Sequence, residues 1–137
     1  MTEQLYRRTT RSIEVIVTPT YLADDSEPAR DAYMWAYRIR IENHGQETVQ
    51  LRTRHWRITD AFGRQQEVHG EGVVGEQPVL KPGDFHEYES RSGFLRTPSG
   101  VMLGSYQMET ATGERFDVQI PAFFLESPHQ AQEQRLH

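Results

Sequence analysis

Polar and apolar residues alternate along this chain in short runs. The clearest spans residues 33–43, where Tyr33, Trp35, Tyr37, Ile39 and Ile41 alternate with Met34, Ala36, Arg38, Arg40 and Glu42. That period of two is the pattern of a strand with one buried face. Similar runs predict strands at 12–18, with Ile13, Val15 and Val17 on one face, and at 48–59, 65–69, 85–90, 101–109 and 115–120. Residues 121–125 extend the last one, and Met102, Tyr106 and Met108 point one way in the sixth. The third run changes phase: Val49 and Leu51 occupy one parity, Trp56 and Ile58 the other. A single extra residue in a strand produces such a switch, which places a β-bulge between Thr53 and His55. Turn residues separate the runs, as in Asn43-His44-Gly45-Gln46, Asp60-Ala61-Phe62-Gly63, Lys81-Pro82-Gly83-Asp84 and Ala111-Thr112-Gly113. Residues 21–31 read as a polar loop with a helical turn at Ser26-Glu27-Pro28. No segment has the period of a long amphipathic helix. The expected fold is all-β, a seven-stranded immunoglobulin/fibronectin type III-like β-sandwich over residues 12–125. An N-terminal arm (1–11) precedes it, and a polar, disordered tail (126–137) follows.

At 137 residues the chain suits one domain with its own core. Cysteine is absent, which excludes thiol catalysis, cysteine-based zinc sites and a disulfide framework. The first residues lack the basic-then-apolar pattern of a signal peptide, and no run is apolar enough to span a bilayer, so a cytoplasmic protein without membrane insertion is expected. A net charge of −5 argues against general nucleic-acid binding. Lys81 is the only lysine among 15 basic residues. Arginine makes planar, two-pronged contacts with carboxylates and phosphates.

Longer motifs carry a family resemblance. Ile41-Glu42-Asn43-His44-Gly45, Arg54-His55-Trp56-Arg57-Ile58-Thr59-Asp60 and Gly70-Glu71-Gly72-Val73-Val74-Gly75-Glu76-Gln77-Pro78 resemble the ApaG family. So do Leu80-Lys81-Pro82-Gly83, Thr97-Pro98-Ser99-Gly100, Gly104-Ser105-Tyr106-Gln107-Met108 and Ile120-Pro121-Ala122-Phe123. The resemblance implies a fibronectin type III-like sandwich and a bacterial cytoplasmic protein linked to cobalt and magnesium efflux. In larger eukaryotic proteins the same domain looks like a protein-interaction module. The family has no agreed catalytic residues to carry over.

Three constellations bear on chemistry. Gly70, Gly72 and Gly75 spell G-x-G-x-x-G, but Pro78 and Pro82 follow where a dinucleotide fold would open a helix. The glycines can instead form an anion-binding nest of backbone amides, or simply shape a loop in which Val73 and Val74 pack. Among the histidines no metal-ligand spacing occurs. His55 and His69 can approach across a hairpin around Asp60, the one conceivable metal set; otherwise no metal or other cofactor is expected, with Co²⁺ and Mg²⁺ binding no tighter than about millimolar. If the second and third strands form a hairpin, Arg40 faces Arg52 and Arg38 faces Arg54. Four guanidiniums on one outer face would repel, unless acids such as Glu87 and Glu89 or an anionic ligand neutralise them. Neither a nucleophile elbow nor a singled-out carboxylate pair occurs. The expected function is a non-enzymatic interaction module with a protein partner, as monomer or homodimer. The alternative is a binder of a phosphate-bearing small molecule such as a nucleotide or pyrophosphate, through the glycine loop and the arginines. The aromatics Trp35, Trp56, Tyr37 and Tyr106 are read as core.

Overall fold

The computed structural model describes residues 4–129. Nine strands appear among them: β1 (Tyr6–Thr10), β2 (Ile13–Tyr21), β3 (Trp35–Asn43), β4 (Val49–Asp60), β5 (Gln65–Glu71), β6 (Val79–Leu80), β7 (Phe85–Arg91), β8 (Gly100–Thr110) and β9 (Arg115–Leu125). They form two antiparallel sheets, one in the order β1-β2-β3-β7, the other β5-β4-β8-β9 with the short β6 also on β4. The seven expected strands are present. The two additional ones escaped the pattern because β1 (Tyr-Arg-Arg-Thr-Thr) is mostly polar and β6 has two residues. Part of the expected N-terminal arm is therefore sheet. The expected helical turn is replaced by two 3₁₀ turns, Ala23–Asp25 and Pro28–Arg30.

The alternating residues behave as their period requires. Ile13, Val15, Val17, Trp35, Ile39, Ile41, Leu51, Tyr106, Val118 and Phe123 fill the space between the sheets, each almost wholly buried. Trp35, Trp56, Tyr37 and Tyr106 are all core. The register on β9 shifts opposite Met102 and Gly104, where Pro121 sits, so that Val118 and Ile120 before it and Phe123 and Leu125 after it all face inward. Proline cannot donate to a ladder and is tolerated at such an irregularity. Part of the expected disordered tail is ordered: Trp35 Nε1 donates to the Glu126 carbonyl at 2.9 Å, and the His129 ring lies against Tyr21 and Tyr33. The remainder of that tail lies outside the described residues.

Two departures decide where the site forms. First, β3 and β4 do not pair. The short connection after Asn43 crosses from one sheet to the other, held by the buried Asn43 side chain, which donates to the Glu47 and Leu80 carbonyls and accepts from the Gly45 amide. The strand beside β3 is instead β7, with Arg40 opposite Glu87 and Arg38 opposite Glu89. Second, the bulge in β4 falls at Arg52, between Leu51 and Thr53, two residues before its expected place. Because side chains alternate with a period of two, the position of an extra residue decides which face every later side chain takes. Arg54 thereby shares the inward phase of Trp56 and Ile58.

Candidate functional site

The two flanks of the sandwich differ. On one, β1 closes against β9, with Gln119 donating its amide to Thr10 Oγ1 at 3.2 Å. On the other, β7 and the β4–β5 hairpin leave a cleft of about 440 Å³ between the sheets. Tyr37 and Trp56 form its floor, Tyr88 and Ser90 come from β7, Arg54 from β4, and Val73 and Val74 from the glycine loop.

Arg54 lies half-buried in this cleft, donating Nη1 to the carbonyls of Glu71 (3.0 Å) and Gly72 (2.9 Å). No ion pair to it forms among the described residues. Gly70 makes this placement possible, since a Cβ there would stand 2.6–2.8 Å from the Arg54 guanidinium. Gly72 serves the loop: at φ 63° it takes a left-handed conformation, and an added Cβ would meet the Glu76 carbonyl at 2.3 Å. The turn is locked by mutual bonds between the amides and carbonyls of Val73 and Glu76, 2.8 and 3.0 Å long, while the Gly72 amide donates to the Arg52 carbonyl. Val73 is buried beneath the turn, whereas Val74, at φ 47°, stands 64% exposed at its tip. The Gly72, Val73 and Glu76 amides are thus already donated within the protein.

The cleft's interior wall is a cluster of hydroxyls. Tyr37 stands opposite Ser90 across β3 and β7, and the Tyr88 and Tyr106 hydroxyls share one short bond. Burial raises all three tyrosines above the ordinary phenol value, although Arg54 nearby pulls each the other way. They stay protonated at neutral pH and serve as hydrogen-bonding groups rather than bases. The alternating pattern places Tyr37 and Tyr106 in the core and gives Tyr88 and Ser90, on the 85–90 strand, no functional role. The available signal was hydroxyl-bearing residues, where phenylalanine or valine would pack equally well, on strand positions facing inward.

The other arginines lie elsewhere, and no four-arginine face exists. Arg40 is neutralised on the first sheet by Glu42 and by Glu87 (2.6 Å), with Phe85 stacked on its guanidinium. Arg52 pairs with Glu109 at 3.2 Å on the other sheet. Arg38 is exposed beside Glu89 on β7. Of the seven anion-site candidates, Gly70, Gly72 and Arg54 come together; Gly75 lies further round the turn, away from the guanidinium, and Arg38, Arg40 and Arg52 do not join them.

The histidine pair does approach. His55 and His69 face each other across β4 and β5, their rings stacked 4.0 Å apart. Asp60 is remote from that pair, because it closes the hairpin turn. Its carboxylate accepts from the Phe62 amide (2.9 Å), the Arg64 amide (3.0 Å) and Arg64 Nε (2.7 Å). Burial opposes its ionisation, but these donors outweigh that and hold its pKa below the usual value. Asp60→Ala is expected to cost about 1 kcal/mol, measured by urea unfolding. A depressed folded pKa stabilises above the unfolded value of about 3.9, and the contribution is lost as pH falls through the folded value. The difference between wild type and variant should accordingly shrink in acid.

Two antiparallel sheets packed face to face around one aromatic core define an immunoglobulin/fibronectin type III-like sandwich. The ApaG domain model matches residues 23–110. Protein ApaG of Rhodospirillum centenum is 62% identical over 125 residues, covering 91% of this chain and 95% of that protein. Protein ApaG of Parvibaculum lavamentivorans is 59% identical over 125 residues, with the same coverage of 91% and 95%. This chain belongs to the ApaG domain family. The crystal structure of an ApaA protein from Bordetella pertussis superposes with a TM-score of 0.82 at 45% identity, covering 85% of this chain and 94% of that one. The C-terminal domain of wzt, at 12% identity and a TM-score of 0.51, shares the fold alone. Among the described residues no helix is long and apolar enough to cross a membrane.

Proposed function

We propose that this chain is a non-enzymatic interaction module whose recognition surface is the mouth of the inter-sheet cleft, where Arg54 receives an acidic group of a protein partner. The observation that carries this reading is a half-buried guanidinium with no acid paired to it among the described residues, set among tyrosine and serine hydroxyls, with Glu89 and Arg91 also on the cleft lining, and beside the exposed Val74. An arginine in such a setting suits a carboxylate, and the apolar loop tip suits a neighbouring aliphatic or aromatic side chain. The tyrosines, held protonated, offer no general base, which supports binding without turnover. On this reading the family's association with cobalt and magnesium efflux acts through the partner, in the cytoplasm.

The test is affinity capture from the native cell with wild-type bait, an Arg54→Gln bait and a Val74→Asp bait, quantified by mass spectrometry. Partners held by wild type should fall at least about tenfold with Arg54→Gln, a loss of roughly 1.4 kcal/mol. Enrichment unaffected by both substitutions would move the surface elsewhere. A phosphate-bearing ligand is the second reading, favoured by the same guanidinium; with three loop amides already spent, it too depends on Arg54. Titration with pyrophosphate and with ATP separates the two, since only the second reading expects saturable heat.

A further inference from the structure

Outside the cleft, one cluster combines side chains of metal-binding chemistry. His55 on β4 stands opposite His69 on β5, and Glu67 lies two residues before His69, on the same side of the strand. The Nε2 atoms of His55 and His69 approach one Glu67 oxygen, Oε2, at 3.3 and 3.5 Å. One ligand atom from each residue lies within 4.8 Å of the others. His55 is anchored in the central strand of its sheet, with its side chain 24% exposed, while Glu67 and His69 sit on the edge strand, open to solvent.

From this juxtaposition we infer that His55, Glu67 and His69 form a surface site for a borderline divalent transition metal such as Zn²⁺ or Ni²⁺. The donor set decides the metal class. Two imidazoles and one carboxylate suit zinc and nickel, whereas Mg²⁺ demands oxygen ligands. Metal–nitrogen and metal–oxygen bonds of about 2.0–2.2 Å require donors roughly 3–3.5 Å apart. The two histidine–glutamate separations already meet that spacing, and rotation of the stacked rings brings the histidine nitrogens into line without moving the strands. The backbone register fixes the pair, so little ordering entropy remains to be lost on binding. Three protein ligands leave coordination positions for water. One feature works against the ion: Arg57 Nε lies 3.7 Å from the other Glu67 oxygen and competes for that carboxylate.

Against the sequence expectation, Glu67 replaces Asp60 as the third ligand, and a site is proposed where none is expected. The same donor set takes Co²⁺ as well, against the expectation of no binding tighter than millimolar, whereas Mg²⁺ is expected not to bind. A second group, Glu14, Glu42 and His44, has a similar spacing but shares Glu42 with Arg40, and serves as the internal control.

The experiment is isothermal titration of ZnCl₂, NiCl₂ and MgCl₂ into the full chain after removal of any affinity tag. Zinc and nickel should bind with one site at micromolar affinity, about −8 kcal/mol, and magnesium should give no saturable heat. His55→Ala and His69→Ala should each weaken zinc by at least the roughly 10- to 100-fold that loss of even an outer-shell partner costs. Arg57→Gln should tighten it, and His44→Ala should leave it unchanged. Circular dichroism of each variant checks that it is folded. The inference is overturned if zinc fails to bind at millimolar concentration, if binding survives the double His55→Ala, His69→Ala change, or if His44→Ala abolishes it.

Discussion

Replacing Trp56 with alanine is expected to destabilise the protein by about 3–5 kcal/mol. The side chain is only 3% exposed and stands where the core meets the cleft floor. Its ring lies 5.3 Å from that of Tyr37 and meets Phe123 edge-on at 5.9 Å. Alanine would remove these contacts and leave a void between sheets that two hydrogen-bonded ladders prevent from closing. Domains are stable by only about 5–15 kcal/mol, so the melting temperature should fall by more than about 10 °C. Thermal unfolding followed by near-ultraviolet circular dichroism measures this directly. A shift of a degree or two would mean that the core repacks far more freely than its burial implies.

The second large effect concerns the Tyr88–Tyr106 hydroxyl pair. Either single change to phenylalanine is expected to cost about 1–3 kcal/mol, because the remaining hydroxyl stays buried with its partner removed. The double change should cost less than the sum, since no orphaned hydroxyl remains. Denaturant unfolding of the four proteins closes this cycle, and strictly additive losses would show that the two hydroxyls are energetically independent. The pair also fixes the alkaline limit. Burial raises both phenols in the folded state, so the folded protein holds its protons longer than the unfolded chain. That stabilisation is fully present below the unfolded pKa of about 10 and is lost as pH rises above it towards the folded values. The double phenylalanine variant should lose less stability than wild type between neutral pH and pH 11.

The fold was legible because its strands carry a strict period of two and its turns carry glycine, proline and asparagine. Residues 33–43 announce a buried strand on their own. What the pattern omits is which strands become neighbours. The short connection after Asn43 reads as a hairpin, yet the buried Asn43 amide ties it to Leu80 and turns it into a crossover. That one difference separates Arg40 from Arg52 and dissolves the expected arginine face. The bulge was visible as a parity switch between Leu51 and Trp56, but its position depends on pairing with β8, a partner about 50 residues away in sequence. Arg54 could not be placed in the cleft without that register. The histidine approach was legible because a tight turn joins β4 to β5 and local pairing follows. Glu67, two residues from His69 on the same side, was within reach of the same reasoning.

The extra residue in β4 has a consequence for how this family tolerates change in length. The Arg52 carbonyl accepts both the Gly72 amide (2.8 Å) and Gln77 Nε2 (2.9 Å), so the bulge is the peg on which the glycine loop hangs. Deleting that residue would restore regular pairing with β8 while Trp56 and Ile58 kept facing inward, and the sandwich would survive. The loop above would lose its anchor. A one-codon deletion here would leave a stable protein with an altered cleft, whereas deletion of Arg57, between the inward-facing Trp56 and Ile58, would put those two core side chains on opposite faces. Inheritance can therefore alter recognition in this sandwich without first dismantling the fold.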